Sequence, residues 1–352
     1  MYRIRNLGKN LRSTFDSRRI RRMIVNRLAR RHDGEFDEIL SPGVEIVRDG
    51  SMFVDRNWSP VGVTQQFTDD AETYHQRYFV RLDFDELIDY CLTLADVGRQ
   101  SEMRILDIGS GSGSSVFAAF RLLPRSEIFA SDLSPQLLAI LAAFVESRAD
   151  LRGRVRSFCF DLHRRFFKPE IFDLAIGTAI LHHLLDPKAA LSNVARSLKP
   201  GGKIILVEPL ESGSLILTVL WANVLKILGD LGEGDSELAQ LMKAMRLDIQ
   251  HRLGPPAAKP WTPFLDDKWV FDEPYLIGLA HELDMSKVDI HPGQADLTRM
   301  YESAFRSQLS DSGLGGISVP DQVMNCVREF DESIGPGLKG KICPTGIIVF
   351  TK

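Results

Sequence analysis

Cysteine is scarce in this chain, and the few cysteines present are scattered. The 352 residues contain four of them, and no two form a C-x-x-C pair. This spacing argues against a disulfide framework and against the common structural zinc motifs, and it favours a reducing compartment. We therefore predict a cytoplasmic location and no metal site.

Charge and apolar patterning argue against two further classes of protein, nucleic-acid-binding proteins and transmembrane proteins. The formal net charge of -4 gives no general attraction to nucleic acid, so we expect no such partner. We find no 18-residue apolar run, and the sequence therefore predicts no transmembrane helix. The length favours one catalytic domain with substantial additions over two equal domains.

Basic charge is concentrated in residues 1–36, which we interpret as a helical N-terminal arm. Residues 1–31 hold eleven Lys or Arg against one acid, Asp16. Apolar residues recur between the charges and form a helical stripe. Three interpretations stay open: a helix that contacts a membrane surface or a partner, a solvated arm, and an organelle transit peptide.

A short apolar strand followed by three alternating glycines is the most informative segment. It runs from Arg104 to Ser115, and its glycines are Gly109, Gly111 and Gly113. Glycine lets such a strand-to-helix turn adopt backbone angles closed to other residues and bring its amides close to a ligand. A second apolar strand ends at Asp132, near the roughly 20-residue spacing at which a carboxylate meets a ribose hydroxyl. The pattern predicts a nucleotide-type cofactor site.

Two details favour S-adenosylmethionine over a nicotinamide dinucleotide. The third glycine comes one residue earlier than the G-x-G-x-x-G fingerprint requires. Asp107 lies within the strand, where its carboxylate would repel a pyrophosphate but attract an ammonium group. The sequence therefore predicts S-adenosylmethionine as the cofactor.

Five ordered segments resemble the class I S-adenosylmethionine-dependent methyltransferases, in particular the broad group that includes ubiquinone- and menaquinone-biosynthesis methyltransferases. Together they cover about a third of the chain. They are residues 106–113 (LDIGSGSG), 131–134 (SDLS), 160–162 (FDL), 172–187 (FDLAIGTAILHHLLDP) and 198–209 (LKPGGKIILVEP).

The resemblance implies roles for individual residues. Asp107 and the glycine loop, with Ser110 and Gly113, would hold the methionine end of the cofactor, and Asp132 would bind the ribose hydroxyls. Asp161 would accept from the adenine amino group. The ring would pack between Leu133 and Leu162, and Thr178 would line the methyl-donor end. The structural alternatives are turn caps at Asp107 and Asp132 and a helix N-cap at Asp161.

Three residues are candidates for removing a proton from the acceptor. His182 and His183 follow the predicted fourth strand, and histidine titrates near neutrality. Glu208 ends the predicted fifth strand and is the competing base or substrate anchor. The His-His pair also recurs in the family group as a feature of the pocket wall, so a structural role stays open.

The remaining segments surround the predicted cofactor-binding core, residues 101–209. Residues 37–100 are predicted to form a hairpin around Asp49-Gly50 and then helices. Residues 210–286 form a helical insertion that we interpret as a substrate lid; its tryptophans would suit a bulky acceptor, and a dimer interface is the alternative. Residues 287–352 supply the last two strands and a second helical insertion.

The predicted fold is a doubly wound, seven-stranded, mostly parallel α/β sheet. The predicted reaction is methyl transfer to a small-molecule acceptor, with O-methylation of a hydroxyl on a bulky, partly hydrophobic metabolite preferred. Alternatives are C-methylation of a quinone-like or lipid ring and a catalytically silent, cofactor-binding scaffold. The basic arm would allow a position peripheral to a membrane.

Overall fold

The computed structural model describes residues 36–59, 71–79, 84–257 and 259–352. The predicted N-terminal arm lies, except for Phe36, outside these residues. The strands are β1 (Ile46–Asp49), β2 (Met52–Asp55), β3 (Arg104–Ile108), β4 (Glu127–Asp132), β5 (Val155–Cys159), β6 (Phe172–Thr178), β7 (Leu198–Pro209), β8 (Lys287–Pro292) and β9 (Thr345–Thr351). The helices are α1 (Ala71–Tyr78), α2 (Phe84–Leu94), α3 (Ser114–Leu122), α4 (Pro135–Ser147), α5 (Pro187–Ser197), α6 (Glu211–Asp230), α7 (Glu237–Arg252), α8 (Glu273–Glu282), α9 (Met300–Asp311), α10 (Asp321–Glu332) and α11 (Pro336–Lys339).

The described strands form one sheet in the order β1-β2-β5-β4-β3-β6-β7-β9-β8. The pairings from β2 to β7 are parallel, and those of β1, β8 and β9 are antiparallel. The predicted α/β class is confirmed, but the sheet has nine strands and not seven. The difference is the hairpin of β1 and β2, which extends the sheet because β2 pairs with β5.

Alternating side chains of the central strands supply a core on each face of the sheet. In β7, Ile204 and Leu206 belong to one buried cluster, whereas Ile205 and Val207 belong to the other. Strands that are buried on both faces form continuous apolar runs, which is the pattern of a parallel sheet covered by helices. The strands that carry the site are thus fixed from both sides.

Local signals set where the helices beside the site begin. The Ser134 hydroxyl accepts from the Leu137 amide at 3.2 Å and caps α4, whose first residue is Pro135. The Asp186 carboxylate caps α5 in the same way, by accepting from the Ala189 amide at 2.9 Å. Side-chain caps followed by proline are typical helix starts.

Helix α6 corrects the expectation that the chain has no long apolar run. By length and composition alone, Glu211–Asp230 could cross a membrane. In the structure Trp221 is fully buried and packs on Phe305 of α9, with ring centroids 5.6 Å apart. A Cβ on Gly213 would lie 2.2 Å from the carbonyl carbon of Cys343, so the helix backbone lies directly against the segment that leads into β9. These contacts bury one side of the helix in the core, whereas Leu215 and Val219 are exposed.

Candidate functional site

The glycine loop joins β3 to α3 in the conformation that the sequence predicts. Gly109, Gly111 and Gly113 have φ values of 68°, 52° and 107°, in the left-handed region. A Cβ on Gly109 would lie 2.5 Å from Ile180, so the backbone approaches that side chain closely. A Cβ on Gly111 would meet nothing within 4 Å. The loop thus contacts the turn after β6 at Gly109 and leaves open space at Gly111.

Asp107 is a buried carboxylate beneath this loop, and neither of its oxygens forms a hydrogen bond of good geometry within the described structure. The residue is 1% exposed, and both carboxylate oxygens lack a partner. The nearby Ser110 hydroxyl bonds to the Asp107 carbonyl oxygen at 3.1 Å and not to its carboxylate. Burial raises the pKa of Asp107 to about 7; the Ser115 and Ser110 hydroxyls oppose this rise, and the charge of Asp132 adds to it. A buried carboxylate without partners suits a cationic ligand, since buried charges are normally paired.

Asp132 is the last residue of β4, and its carboxylate binds the backbone of the glycine loop. Its Oδ2 accepts from the Gly111 amide at 2.8 Å, and its Oδ1 accepts from the Ser134 amide at 2.7 Å. Burial raises the pKa of Asp132, although these amide bonds oppose the rise. The carboxylate therefore caps the turn and also lines the cavity described below, where its remaining lone pairs can accept from hydroxyl groups.

Asp161 closes a tight turn after β5. Its Oδ1 accepts from the His163 amide at 2.9 Å and contacts Nδ1 of the His163 ring at 2.7 Å. Burial opposes the charged form of Asp161, but the contacts with His163 outweigh it and lower the pKa of Asp161. The same contact raises the pKa of His163. Asp161 thus serves the turn and still faces the cavity.

These residues surround one cavity that opens to solvent. Seven of the ten predicted cofactor-binding residues line it: Gly109, Gly111, Asp132, Leu133, Asp161, Leu162 and Thr178. The other three lie in the loop or beneath it: Asp107, Ser110 and Gly113. Tyr74 of α1 also lines the cavity, and His75 beside it contacts the Ser112 hydroxyl at 2.8 Å. The residue roles themselves stay predictions.

Glu208 lies beneath the turn that follows β6. Its side chain is fully buried, and Oε1 accepts from the amides of Ile180 at 3.0 Å and Leu181 at 2.7 Å. Its Oε2 contacts Nδ1 of His182 at 2.5 Å. Because it is engaged on all sides and does not line the cavity, Glu208 holds the turn and the imidazole of His182 in place.

The two histidines of this turn lie in different environments. His182 is 6% exposed, whereas His183 lines the cavity. Burial opposes protonation of His182, but the Glu208 and Asp267 carboxylates outweigh it and raise its pKa to about 9. Burial, with the charge of His182, lowers the pKa of His183 to about 4. Of the two, His183 is therefore the neutral imidazole, and it faces the cavity.

The linker between α7 and α8 contributes residues that sequence reasoning missed. Asp266 and Lys268 line the cavity, and the Lys268 amide donates to the His182 carbonyl at 2.8 Å. Asp267 lies 3.5 Å from Nε2 of His182 and 3.4 Å from Nδ1 of His183, and its other oxygen is 3.3 Å from Arg252. Burial works against the charge of Asp267, but His182 and Arg252 lower its pKa. The charged run Asp266-Asp267-Lys268 between Leu265 and Trp269 was the available signal.

The tryptophans that the sequence associates with a bulky acceptor lie elsewhere. Within the described residues, none of the three lines the cavity. Trp221 and Trp269 are buried in the core, and Trp261 is 45% exposed. The indole of Trp269 donates to the Leu184 carbonyl at 2.7 Å, so it fixes the wall of the cavity from behind.

Residues 106–204 match the family model described as a methyltransferase domain. Highly reducing polyketide synthase 2 of Gibberella zeae is 30% identical over 161 residues, which cover 40% of this chain and 6% of the synthase. The demethylmenaquinone methyltransferase of Thermus thermophilus is 29% identical over 137 residues, which cover 38% of this chain and 60% of that enzyme. The chain thus spans less than two thirds of the length of both relatives.

Similarity to a solved structure extends over more of the chain. Haemonchus contortus phosphoethanolamine N-methyltransferase 2, solved with phosphomonomethylethanolamine and S-adenosylhomocysteine, aligns with 83% of this chain and 58% of its own. The identity is 16% and the TM-score 0.48.

Proposed function

We propose that this chain, whose residues 106–204 belong to the class I S-adenosylmethionine-dependent methyltransferases, transfers a methyl group from S-adenosylmethionine to a small-molecule acceptor. The residues present fit that cofactor. The unpartnered carboxylate of Asp107 suits its ammonium group, Asp132 suits the ribose hydroxyls, and Asp161 suits the adenine amino group. When bound, the cofactor supplies an electrophilic methyl group.

One observation carries this proposal: the residues assigned to the nucleotide and a second set of side chains line the same cavity. Asp132 and Asp161 belong to the first set, and Ile180, His183 and Lys268 belong to the second; we call the part of the cavity that the second set lines the acceptor chamber. Methyl transfer needs a nucleophile held in line with the donor, and one continuous cavity provides for that placement.

The acceptor we propose is a hydroxyl oxygen on a partly hydrophobic metabolite. Ile180, Leu184 and Leu185 give the acceptor chamber apolar lining, while His183 and Lys268 supply polar groups. The quinone named for the Thermus relative supports a second candidate, methylation of a quinone-like ring carbon. The four cysteines are free in the structure, which supports the proposed cytoplasmic location.

Calorimetric titration with S-adenosylmethionine, S-adenosylhomocysteine and NADH tests the cofactor assignment. We expect binding of the first two and not of NADH. An acceptor screen with a labelled methyl donor then tests the reaction. Binding of NADH alone would overturn the proposal, and cofactor binding without transfer to any acceptor would favour the scaffold alternative.

Replacing Asp132 with alanine is expected to weaken cofactor binding at least tenfold. The change removes a hydrogen-bonding carboxylate, and charge-assisted hydrogen bonds contribute about 1.5 kcal/mol or more. It also frees the Gly111 amide, which Oδ2 now holds. The dissociation constant of S-adenosylhomocysteine measures the effect, with exposed Asp150→Ala as the control. Unchanged affinity would contradict the ribose assignment.

Replacing His183 with alanine is expected to lower kcat at least tenfold and to leave cofactor affinity nearly unchanged. His183 lines the chamber, and its Nδ1 lies 3.0 Å from the Asp266 carbonyl oxygen, so Nε2 is the atom that can accept a proton. His182→Ala is the companion variant. If both variants retain full turnover with the true acceptor, neither histidine removes the proton.

A further inference from the structure

Two imidazoles and a carboxylate meet beside the acceptor chamber. His182, His183 and Asp267 each present a donor atom, and these atoms lie within 4.8 Å of one another. Asp267 Oδ1 is 3.5 Å from Nε2 of His182 and 3.4 Å from Nδ1 of His183, and that Nδ1 also contacts the Asp266 carbonyl oxygen at 3.0 Å. A cation bound here would replace the protons through which the two nitrogens contact these oxygens, because metal ligands must be deprotonated. Both Asp267 distances are long for a hydrogen bond. They match the edge of a tetrahedron around a metal with ligands at about 2.1 Å, which is about 3.4 Å.

The groups behind these donors hold them in a ligating orientation. Glu208 contacts Nδ1 of His182 at 2.5 Å, so Nε2 is the nitrogen that faces Asp267. Arg252 lies 3.3 Å from Oδ2 of Asp267, which turns Oδ1 toward the rings. A carboxylate behind a histidine ligand and a partner behind a carboxylate ligand are the usual outer groups of protein metal sites.

The summed charge of the side chains around His182, His183 and Asp267 also suits a dication. Four carboxylates lie in or next to this group: Asp248, Glu208, Asp266 and Asp267. Two cations, Arg252 and Lys268, oppose them. Ligation requires both imidazoles to be neutral, so His182 would give up its proton when the cation binds, and the sum is then -2. A bound dication would neutralise it.

We propose that His182, His183 and Asp267 bind a divalent transition-metal cation. Imidazole nitrogens with one carboxylate oxygen suit zinc(II) or a neighbouring first-row metal, whereas magnesium and calcium prefer oxygen ligands. His183 and the adjacent Asp266 line the cavity, so the open coordination position faces the acceptor chamber. A hydroxyl bound there loses its proton more readily. This catalytic role rests on the proposed function, but binding of the cation does not. With the cation bound, His183 is a metal ligand and not the base.

Titration of chelator-treated full-length protein with zinc(II) tests the site. We expect one equivalent to bind with micromolar or tighter affinity, and magnesium(II) not to compete. Asp267→Asn and His183→Ala are each expected to weaken zinc binding at least 100-fold. The matched control is His281→Ala, on the exposed surface of α8. X-ray absorption of the zinc-loaded protein is expected to show two imidazole ligands.

The outcomes separate this inference from the proposed function. S-adenosylhomocysteine affinity and circular dichroism establish that each variant is folded. No zinc binding by the parent protein, or equal binding by parent and both variants, overturns the metal site. Methyl transfer at an unchanged rate by protein stripped of metal overturns the catalytic role of the cation, although not its binding, and leaves His183 as the base. Zinc binding that both variants abolish upholds the site, even where no acceptor is methylated.

Discussion

Replacing Asp107 with asparagine is expected to lower the affinity for S-adenosylmethionine roughly 100-fold. The buried carboxylate has no hydrogen-bond partner in the described structure, so an ammonium group would be its principal counter-charge. Loss of one member of a desolvated charge pair typically removes about 3 kcal/mol, which is about 100-fold in a dissociation constant. Titration calorimetry of the two proteins at pH 8 measures the difference.

The same variant is expected to abolish a pH dependence of cofactor binding. Burial raises the pKa of Asp107 to about 7 in the free protein, and a bound cation would favour the carboxylate. Binding therefore releases a proton below pH 7. The affinity of the parent protein is expected to fall by up to tenfold per pH unit from pH 7 toward pH 5.5 and to level off above pH 7. Asp107→Asn lacks this slope.

The thermal stability of the Asp107→Asn variant shows whether its weaker binding comes from a damaged fold. The folded-state pKa is raised above the unfolded value, so the carboxyl stabilises the cofactor-free fold at low pH, and this contribution is lost as the pH rises through 7. The variant is thus expected to melt at or above the parent temperature at pH 8 while it binds cofactor more weakly. Asp230→Asn, at an exposed position of α6, is the control. Unchanged affinity and slope would contradict the ammonium assignment.

Replacing Glu208 with alanine is expected to lower the free energy of unfolding by about 3–5 kcal/mol. Its carboxylate accepts from the amides of Ile180 and Leu181 and contacts the His182 ring, all in the interior. The truncation leaves these donors without an acceptor, and each unsatisfied buried group costs about 1–3 kcal/mol. Urea denaturation followed by circular dichroism measures the change.

Two further variants show whether the Glu208 carboxylate itself is responsible for the loss of stability. Glu208→Gln keeps the shape and one accepting oxygen, so its loss is expected to be smaller than that of the alanine variant. Glu146→Ala changes an exposed position of α4, and a surface change of this kind stays within about 0.5 kcal/mol. An alanine variant as stable as this control would show that the turn after β6 does not depend on Glu208.

Sequence alone could predict the family and the fold class because their signals are local. The glycines, Asp107 and Asp132 lie within one strand-loop-helix-strand unit, and their spacing is set by the element lengths. The remaining predicted cofactor residues follow at the ends of the next strands. Since the carboxyl ends of parallel strands meet at one edge of a sheet, these residues converge in one cavity.

What sequence could not predict depends on contacts between distant segments. The hairpin of β1 and β2 joins the sheet through β5, about 100 residues further on, and no local pattern specifies that pairing. Asp266 lies 83 positions after His183, yet its carbonyl contacts that ring. The sequence also could not predict the orientation of Glu208, because a side chain at the end of a strand can face either the cavity or the interior. Irregular linkers carry no periodicity that would place their side chains.

The position of β9 imposes an order of assembly on the C-terminal third of the chain. Among the described strands, β8 pairs only with β9, and β9 lies between β8 and β7. Strand β8 therefore has no partner until β9, more than 50 residues later in sequence, is available to pair with it. Such non-local pairing requires closure of long loops before any contact forms, and topologies of this kind fold slowly. Until β9 arrives, β7 exposes an open, apolar edge, so the folding chain passes through a stage at which it is prone to aggregation.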